Sequence, residues 1–231
     1  MEQARASRGV WIALTICVAL VVLAFLAATP PSARGFYYVA WLIPTGFAWR
    51  HRSRWQPSLQ ASPLGEFPVY LALGILMILA EETLAGLAVN LLRAPNFGEL
   101  MRSVPQFYAN NLLLLPGFML GWYILLKRFA YPAREVFVLV GVFGLFAEKI
   151  LSHILNYPIM GSLLVLPTMF TYMAIIAPSL LSLRSTGTRQ LPKGGRILLG
   201  FFVPIAVSIP FLYVHALLTQ AGWLDPTVLT R

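Results

Sequence analysis

Cysteine is almost missing from this chain: Cys17 is the only one in 231 residues. An internal disulfide is therefore excluded. With no CxxC pair, the sequence offers neither a thiolate metal site nor a dithiol redox centre. Charge is scarce as well. Asp, Glu, Lys and Arg make up 11% of the residues, against about 25% in a soluble domain. No Walker pattern, nucleotide-binding loop or Ser–His–Asp set occurs. The last apolar run holds no lysine, which argues against a retinal Schiff base of the usual rhodopsin kind.

What the chain does have is apolar: 58% of its residues are hydrophobic. A water-soluble fold cannot hide that much apolar surface. Seven apolar segments stand out: Val10–Ala28, Phe36–Trp49, Pro68–Leu92, Gln106–Leu126, Val136–Tyr157, Met160–Leu183 and Ile197–Thr219. Several approach or exceed the ~18 residues at which a transmembrane helix is the expected structure. Loops with Pro, Gly, Ser or Arg separate them, and none is long enough to form a domain. The expected fold is all-α, a polytopic integral membrane bundle of about seven transmembrane helices, forming one domain over residues 1–231. The second segment is expected to be short or re-entrant. Its length spans only about 21 Å as a helix, less than the ~30 Å hydrocarbon core, and Pro44 interrupts it. The first segment follows Arg5 and Arg8 and ends in small residues, as a signal peptide does, but its apolar run is long for one and is read as a span.

The net charge is +9, from 17 Lys and Arg against 8 Asp and Glu. The basic residues fall in short loops between apolar runs. They read as topology determinants facing anionic headgroups, with a lipid bilayer as the partner and no nucleic acid. With seven spans and the N-terminus inside, the inner segments carry 12 Lys and Arg and the outer ones 4. If the second segment does not cross, the balance is 11 against 5, and only the N-terminus changes side. Loops 50–67, 127–135 and 184–196 are thus expected in the cytoplasm, and the chain in a bacterial cytoplasmic membrane.

Ionisable residues inside a bilayer cost about 2.5–3.5 kcal/mol on insertion scales and usually face a partner or a cavity. Here they are Glu81 and Glu82 in the third segment, Glu148, Lys149 and His153 in the fifth, and His215 in the seventh. Glu81, Glu82, Glu148 and Lys149 form the expected titratable core. His153, Asn156, His215, Asn110 and Asn111 are expected on its outer approach, with Asn90, Ser152 and Tyr213 as further polar groups. The first and second segments contribute almost no polar groups. As one continuous helix, the fifth segment would present Glu148, Lys149, Ser152, His153 and Asn156 on an arc of about 140°. Gly141 and Gly144 on the same side would let another helix approach. The simplest structural role for Glu81, Glu82 and Lys149 is an interhelical ion pair; the functional one is a proton occupancy coupled to a ligand.

GILMILAEETLAG (Gly74–Gly86) and GVFGLFAEKILSH (Gly141–His153) align, and SIPFLYVHALLTQ (Ser208–Gln220) follows at the same spacing. Glu81, Glu148 and His215 take corresponding places, as parallel repeats in transporters would arrange them. GxxxG at Gly117–Gly121 is a helix-packing signal, expected within the chain or, failing that, against a homo- or hetero-oligomeric partner. Pro204 and Pro210 are expected to kink the last span.

Paired glutamates in one span and histidines in two later ones resemble the type II CAAX protease and bacteriocin-processing family of glutamic intramembrane proteases. That family carries EExxxR, FxxxH and a His four residues before Asn or Asp. Here Gly86 replaces the Arg, Lys149 stands four before His153, Thr219 follows His215 by four, and an extra helix intervenes. Membership is not assigned. The resemblance implies only an intramembrane hydrolase as an alternative, with Glu82 or Glu81 activating a water. His153, His215 and a glutamate would also suit zinc or a similar ion, or the two histidines a haem, so the cofactor stays open. Proton- or ion-linked transport or ligand binding is the leading expectation; an accessory subunit of a membrane complex is the third reading.

Overall fold

The computed structural model describes residues 2–27, 34–90 and 97–224; within them the side chains of 2–8, 10, 11, 24–27, 34–36, 87–90, 97, 99–104, 107, 110, 111 and 114 are left out. Asn90, Asn110 and Asn111 are therefore outside the described side chains. The described residues form helices α1 (Glu2–Ala27), α2 (Arg34–Arg50), α3 (Arg52–Gln60), α4 (Glu66–Asn90), α5 (Phe97–Arg128), α6 (Ala133–Ala147), α7 (Ile150–Asn156), α8 (Pro158–Ser182) and α9 (Lys193–Gln220). The fold is all-α, with no strand longer than an isolated bridge between Phe129 and Arg189 among the described residues.

Among those residues, three helices are long and apolar enough to cross a membrane: Glu66–Gly86, Pro158–Ser182 and Lys193–Gln220. The bent pair α6–α7 makes a fourth if it is one broken span. Helix α9 leaves Phe202, Ile209 and Leu212 exposed. In water such a face is an aggregation liability; against acyl chains it is ordinary surface. The helices thus fit a membrane-associated protein.

Helix α8 is the hub. Helices α1, α2, α4, α6 and α7 all pack on it, while α9 packs chiefly on α5. Tyr70, Ile78, Met119, Trp122, Leu126 and Ile176 are fully buried where α4, α5 and α8 meet. Tyr70 donates to the Met119 carbonyl at 3.3 Å, and Ser179 donates to the Tyr70 carbonyl at 2.8 Å, so these two side chains are paired, whereas the buried Trp122 Nε1–H has no hydrogen-bond partner among the described residues. The GxxxG motif packs within the chain. A Cβ on Gly117 would lie 2.7 Å from the Ser208 Cα, and one on Gly121 2.5 Å from the Pro204 Cα, so α5 and α9 touch backbone to backbone. Helix α9 runs unbroken through Pro204 and Pro210.

Three expectations need correction. The second apolar segment is not broken at Pro44: α2 is one 17-residue helix, long enough for about 25 Å. Thr45 donates its hydroxyl hydrogen within the same turn, at 2.8 Å to the Trp41 carbonyl and 3.2 Å to that of Leu42. The loop 50–67 contains helix α3, a polar element that sequence periodicity over nine residues could not reveal. The fifth segment is not one helix. It bends by 55° between α6 and α7, at Glu148 and Lys149, and Lys149 is left-handed (φ 54°, ψ 31°).

The loops expected on the cytoplasmic side come together at one end. Gln60 Nε2 donates to the carbonyls of Leu181 and Leu183, at 3.2 and 2.7 Å. Lys127 pairs with Glu66 at 3.0 Å, and the Arg184 N–H reaches the same carboxylate at 2.7 Å. The Gly187 N–H bonds to the Leu126 carbonyl at 2.7 Å, and Arg196 binds Glu135 through two bonds of 2.6 and 2.8 Å. This basic end gives a common reference level for the helices above it.

Candidate functional site

Counted from the basic end, Tyr37 lies thirteen residues along α2, and Glu81 and Glu148 each lie fifteen residues along α4 and α6. At 1.5 Å per residue these are heights of roughly 20–22 Å, with Tyr172 of α8 about 15 Å up. Four helices therefore deliver oxygen-bearing side chains to one zone. The Tyr37 hydroxyl donates to the Glu81 carboxylate. The Tyr172 hydroxyl donates to Glu148 Oε1 at 2.9 Å. The hydroxyls of Tyr38 and Thr168, both buried, are 3.0 Å apart. The Tyr37 and Tyr38 rings stand side by side, 4.7 Å between centroids.

Glu81 is 8% exposed, Glu82 half-buried and Glu148 exposed. The three carboxyl groups lie within Coulomb range of one another, and the two tyrosines share that field. Among the described residues, the groups acting on Glu81 are Tyr37 and Glu148, and those acting on Glu82 are Glu81 and Glu148. The ion pairs among the described residues, Lys127–Glu66 and Arg196–Glu135, both belong to the basic end.

Local packing explains why Glu148 arrives here. A Cβ on Gly144 would lie 2.4 Å from Tyr172 Cδ2, and one on Gly141 2.9 Å from the end of Met173. Glycine at both places lets α6 lie directly on α8. Gly144 thereby seats the Tyr172 ring, and Glu148, four residues on, meets its hydroxyl. The helix ends there, with Glu148 at its C-cap.

The other expected residues have separate surroundings. Lys149 is exposed at the break and pairs with none of the three glutamates, so the Glu–Lys ion pair expected from the sequence is absent among the described residues. Asn156 is exposed on α7, His153 is half-buried on the same short helix, and His215 is half-buried on α9. No three His, Cys, Asp or Glu side chains among the described residues are grouped to hold one metal ion. Glu82, His153 and His215 thus do not share a zinc-type site. The aligned stretches also differ in backbone: Glu81 is inside an unbroken helix, whereas Glu148 terminates one.

The sequence reading missed Tyr37, Tyr38 and Tyr172 and assigned α2 almost no polar groups. Tyrosine rather than phenylalanine in an apolar run was the available signal, because a buried phenol needs a partner. Comparison with protein-family models, curated proteins and solved structures finds no match for the chain.

Proposed function

We propose that this protein binds a proton at the Glu81–Glu82–Glu148 cluster, and that this occupancy is linked to transport or ligand binding across a membrane. One observation carries the reading: three carboxylates and two tyrosine hydroxyls converge in one zone, and among the described residues the groups acting on Glu81 and Glu82 are Tyr37 and the other glutamates. Two adjacent carboxyl groups, Glu81 and Glu82, in a low-dielectric interior cannot both stay ionised without a counter-charge, so the pair retains a proton.

The membrane setting belongs to the same proposal. Seven crossings would need α1, α5 and the shorter α2 beside the spans already described, and the lengths of α1 and α5 support this. The clustering of loops 50–67, 127–135 and 184–196 at one basic end supports a cytoplasmic location for that end in a bacterial inner membrane. A height of about 22 Å in a ~30 Å core then puts Glu81 in the outer half.

The test uses a hydrophobic carbodiimide, which modifies protonated carboxyl groups in apolar surroundings, on protein in liposomes. Adducts on Glu81 or Glu82 that diminish as pH is raised, together with altered proton flux in Glu81→Gln and Glu148→Gln, are expected. No adduct on any of the three glutamates, or flux unchanged in every Gln variant, would overturn the reading.

A further inference from the structure

A second feature lies nearer the basic end. A cavity of about 590 Å³ opens between α1, α2, α3, α4, α6 and α8. Its size falls within the ~300–1,000 Å³ of ligand sites. Leu73, Met77, Phe170 and Met173 line its inner part, and Trp49 and Trp55 line the part nearest the basic end. The hydroxyl in its wall, that of Thr45, is already committed to the carbonyls of Trp41 and Leu42. Water needs two to four polar partners to occupy such a space. An empty apolar void of this size forfeits dispersion contacts along its whole lining. Its occupant is therefore a hydrocarbon chain.

The mouth specifies what that chain is attached to. The Arg52 guanidinium stands over the Trp49 ring, 5.0 Å from the ring centroid, and Nη1 donates to the Trp49 carbonyl at 3.2 Å. Arg54 is exposed two residues on. Tryptophan beside arginine is the composition of the headgroup level of a bilayer, and guanidinium groups bind phosphate in preference to choline or ethanolamine cations. Met77 lies eleven residues into α4, about 16 Å along the helix from Glu66. The cavity thus runs from headgroup level into the hydrocarbon, the direction an acyl chain takes.

We infer that this cavity is a binding site for one anionic phospholipid, an acyl chain lying against Met77 and Met173 and the phosphate held at Arg52. The site is separate from the carboxylate cluster, and its test does not depend on that reading.

The full chain is reconstituted in vesicles of phosphatidylcholine doped with phosphatidylglycerol bearing a diazirine in one acyl chain, or with the matched diazirine phosphatidylcholine. After illumination, adducts are mapped by peptide mass spectrometry. Phosphatidylglycerol is expected to label Met77, Phe170 and Met173 more than phosphatidylcholine does, by about fivefold with Arg52 engaged. Arg52→Gln should bring the two lipids level, and Ala174→Phe, which fills the cavity, should abolish those adducts. If Ala174→Phe does not fold, the lipid comparison and the arginine variant still decide. Equal labelling by both lipids would overturn the site, as would adducts confined to outward residues such as Ile209 and Leu212 or survival of the cavity adducts in a folded Ala174→Phe protein.

Discussion

Tyr37 of α2 donates its hydroxyl hydrogen to Glu81 of α4, a carboxylate that only 8% of its surface leaves exposed. The bond ties together two helices whose sequence positions are 44 residues apart. Tyr37→Phe removes the donor and leaves a buried acceptor unsatisfied, which costs about 1–3 kcal/mol. Thermal unfolding in detergent should show that loss. Combined with Glu81→Gln, the double variant should lose less than the two single losses added together. Strict additivity would mean that the two side chains do not interact in the folded protein.

The contact between Gly144 and Tyr172 makes a sharper prediction about the site itself. Gly144→Ala pushes the Tyr172 ring away from Glu148, because the new Cβ would fall 2.4 Å from the ring. Overpacking of this kind costs about 1–3 kcal/mol. Tyr172→Phe keeps the ring and removes only the hydroxyl, so it should reproduce any change in carbodiimide labelling of Glu148 with a smaller loss of stability. Labelling that responds to neither variant would show that Tyr172 does not govern the Glu148 carboxyl.

The α5–α9 seam offers a paired comparison. Gly121→Ala sets a methyl group 2.5 Å from the Pro204 Cα, a backbone atom that cannot rotate aside. Gly194→Ala meets nothing within 4 Å. The first should lower the midpoint of unfolding by the equivalent of about 1–3 kcal/mol, and the second should stay within about 0.5 kcal/mol. Equal midpoints would place the two helices farther apart than described.

Lys149 separates backbone from charge. Its left-handed φ of 54° disfavours any side chain, by about 1–2 kcal/mol. Lys149→Gly should therefore unfold no earlier than the wild type, and Lys149→Val should unfold earlier. Lys149→Gln, which removes only the charge, should change stability by less than about 0.5 kcal/mol, since Lys149 pairs with none of the three glutamates. A large loss in the Gln variant would restore the ion pair that the sequence suggested.

The same residue shows how far the sequence could be read. The face assigned to Glu148, Lys149, Ser152, His153 and Asn156 assumed one helix turning 100° per residue. A left-handed residue at 149 and a bend of 55° redirect every side chain after it, and no local propensity of Lys announces such a conformation. The helix α3 was hidden for a related reason: nine residues, six of them polar, have too little apolar periodicity to mark a helix, and contacts with the end of α8 hold it.

By itself the sequence determined that the chain is mainly helical and that its long apolar runs suit a bilayer. Long apolar runs with few charges leave the backbone no hydrogen-bonding partner but itself, so they are helices suited to a bilayer. It also marked Glu81, Glu82 and Glu148 as costly residues, and Gly117, Gly121, Gly141 and Gly144 as places of close approach. Only the tertiary structure decided which groups meet. It set Tyr37 against Glu81 and Tyr172 against Glu148, left Lys149 outside, and gathered the basic loops at one end. Those pairings join residues 24 to 123 positions apart. They depend on the rotation and height of each helix against α8, which side-chain packing fixes and a linear pattern does not encode.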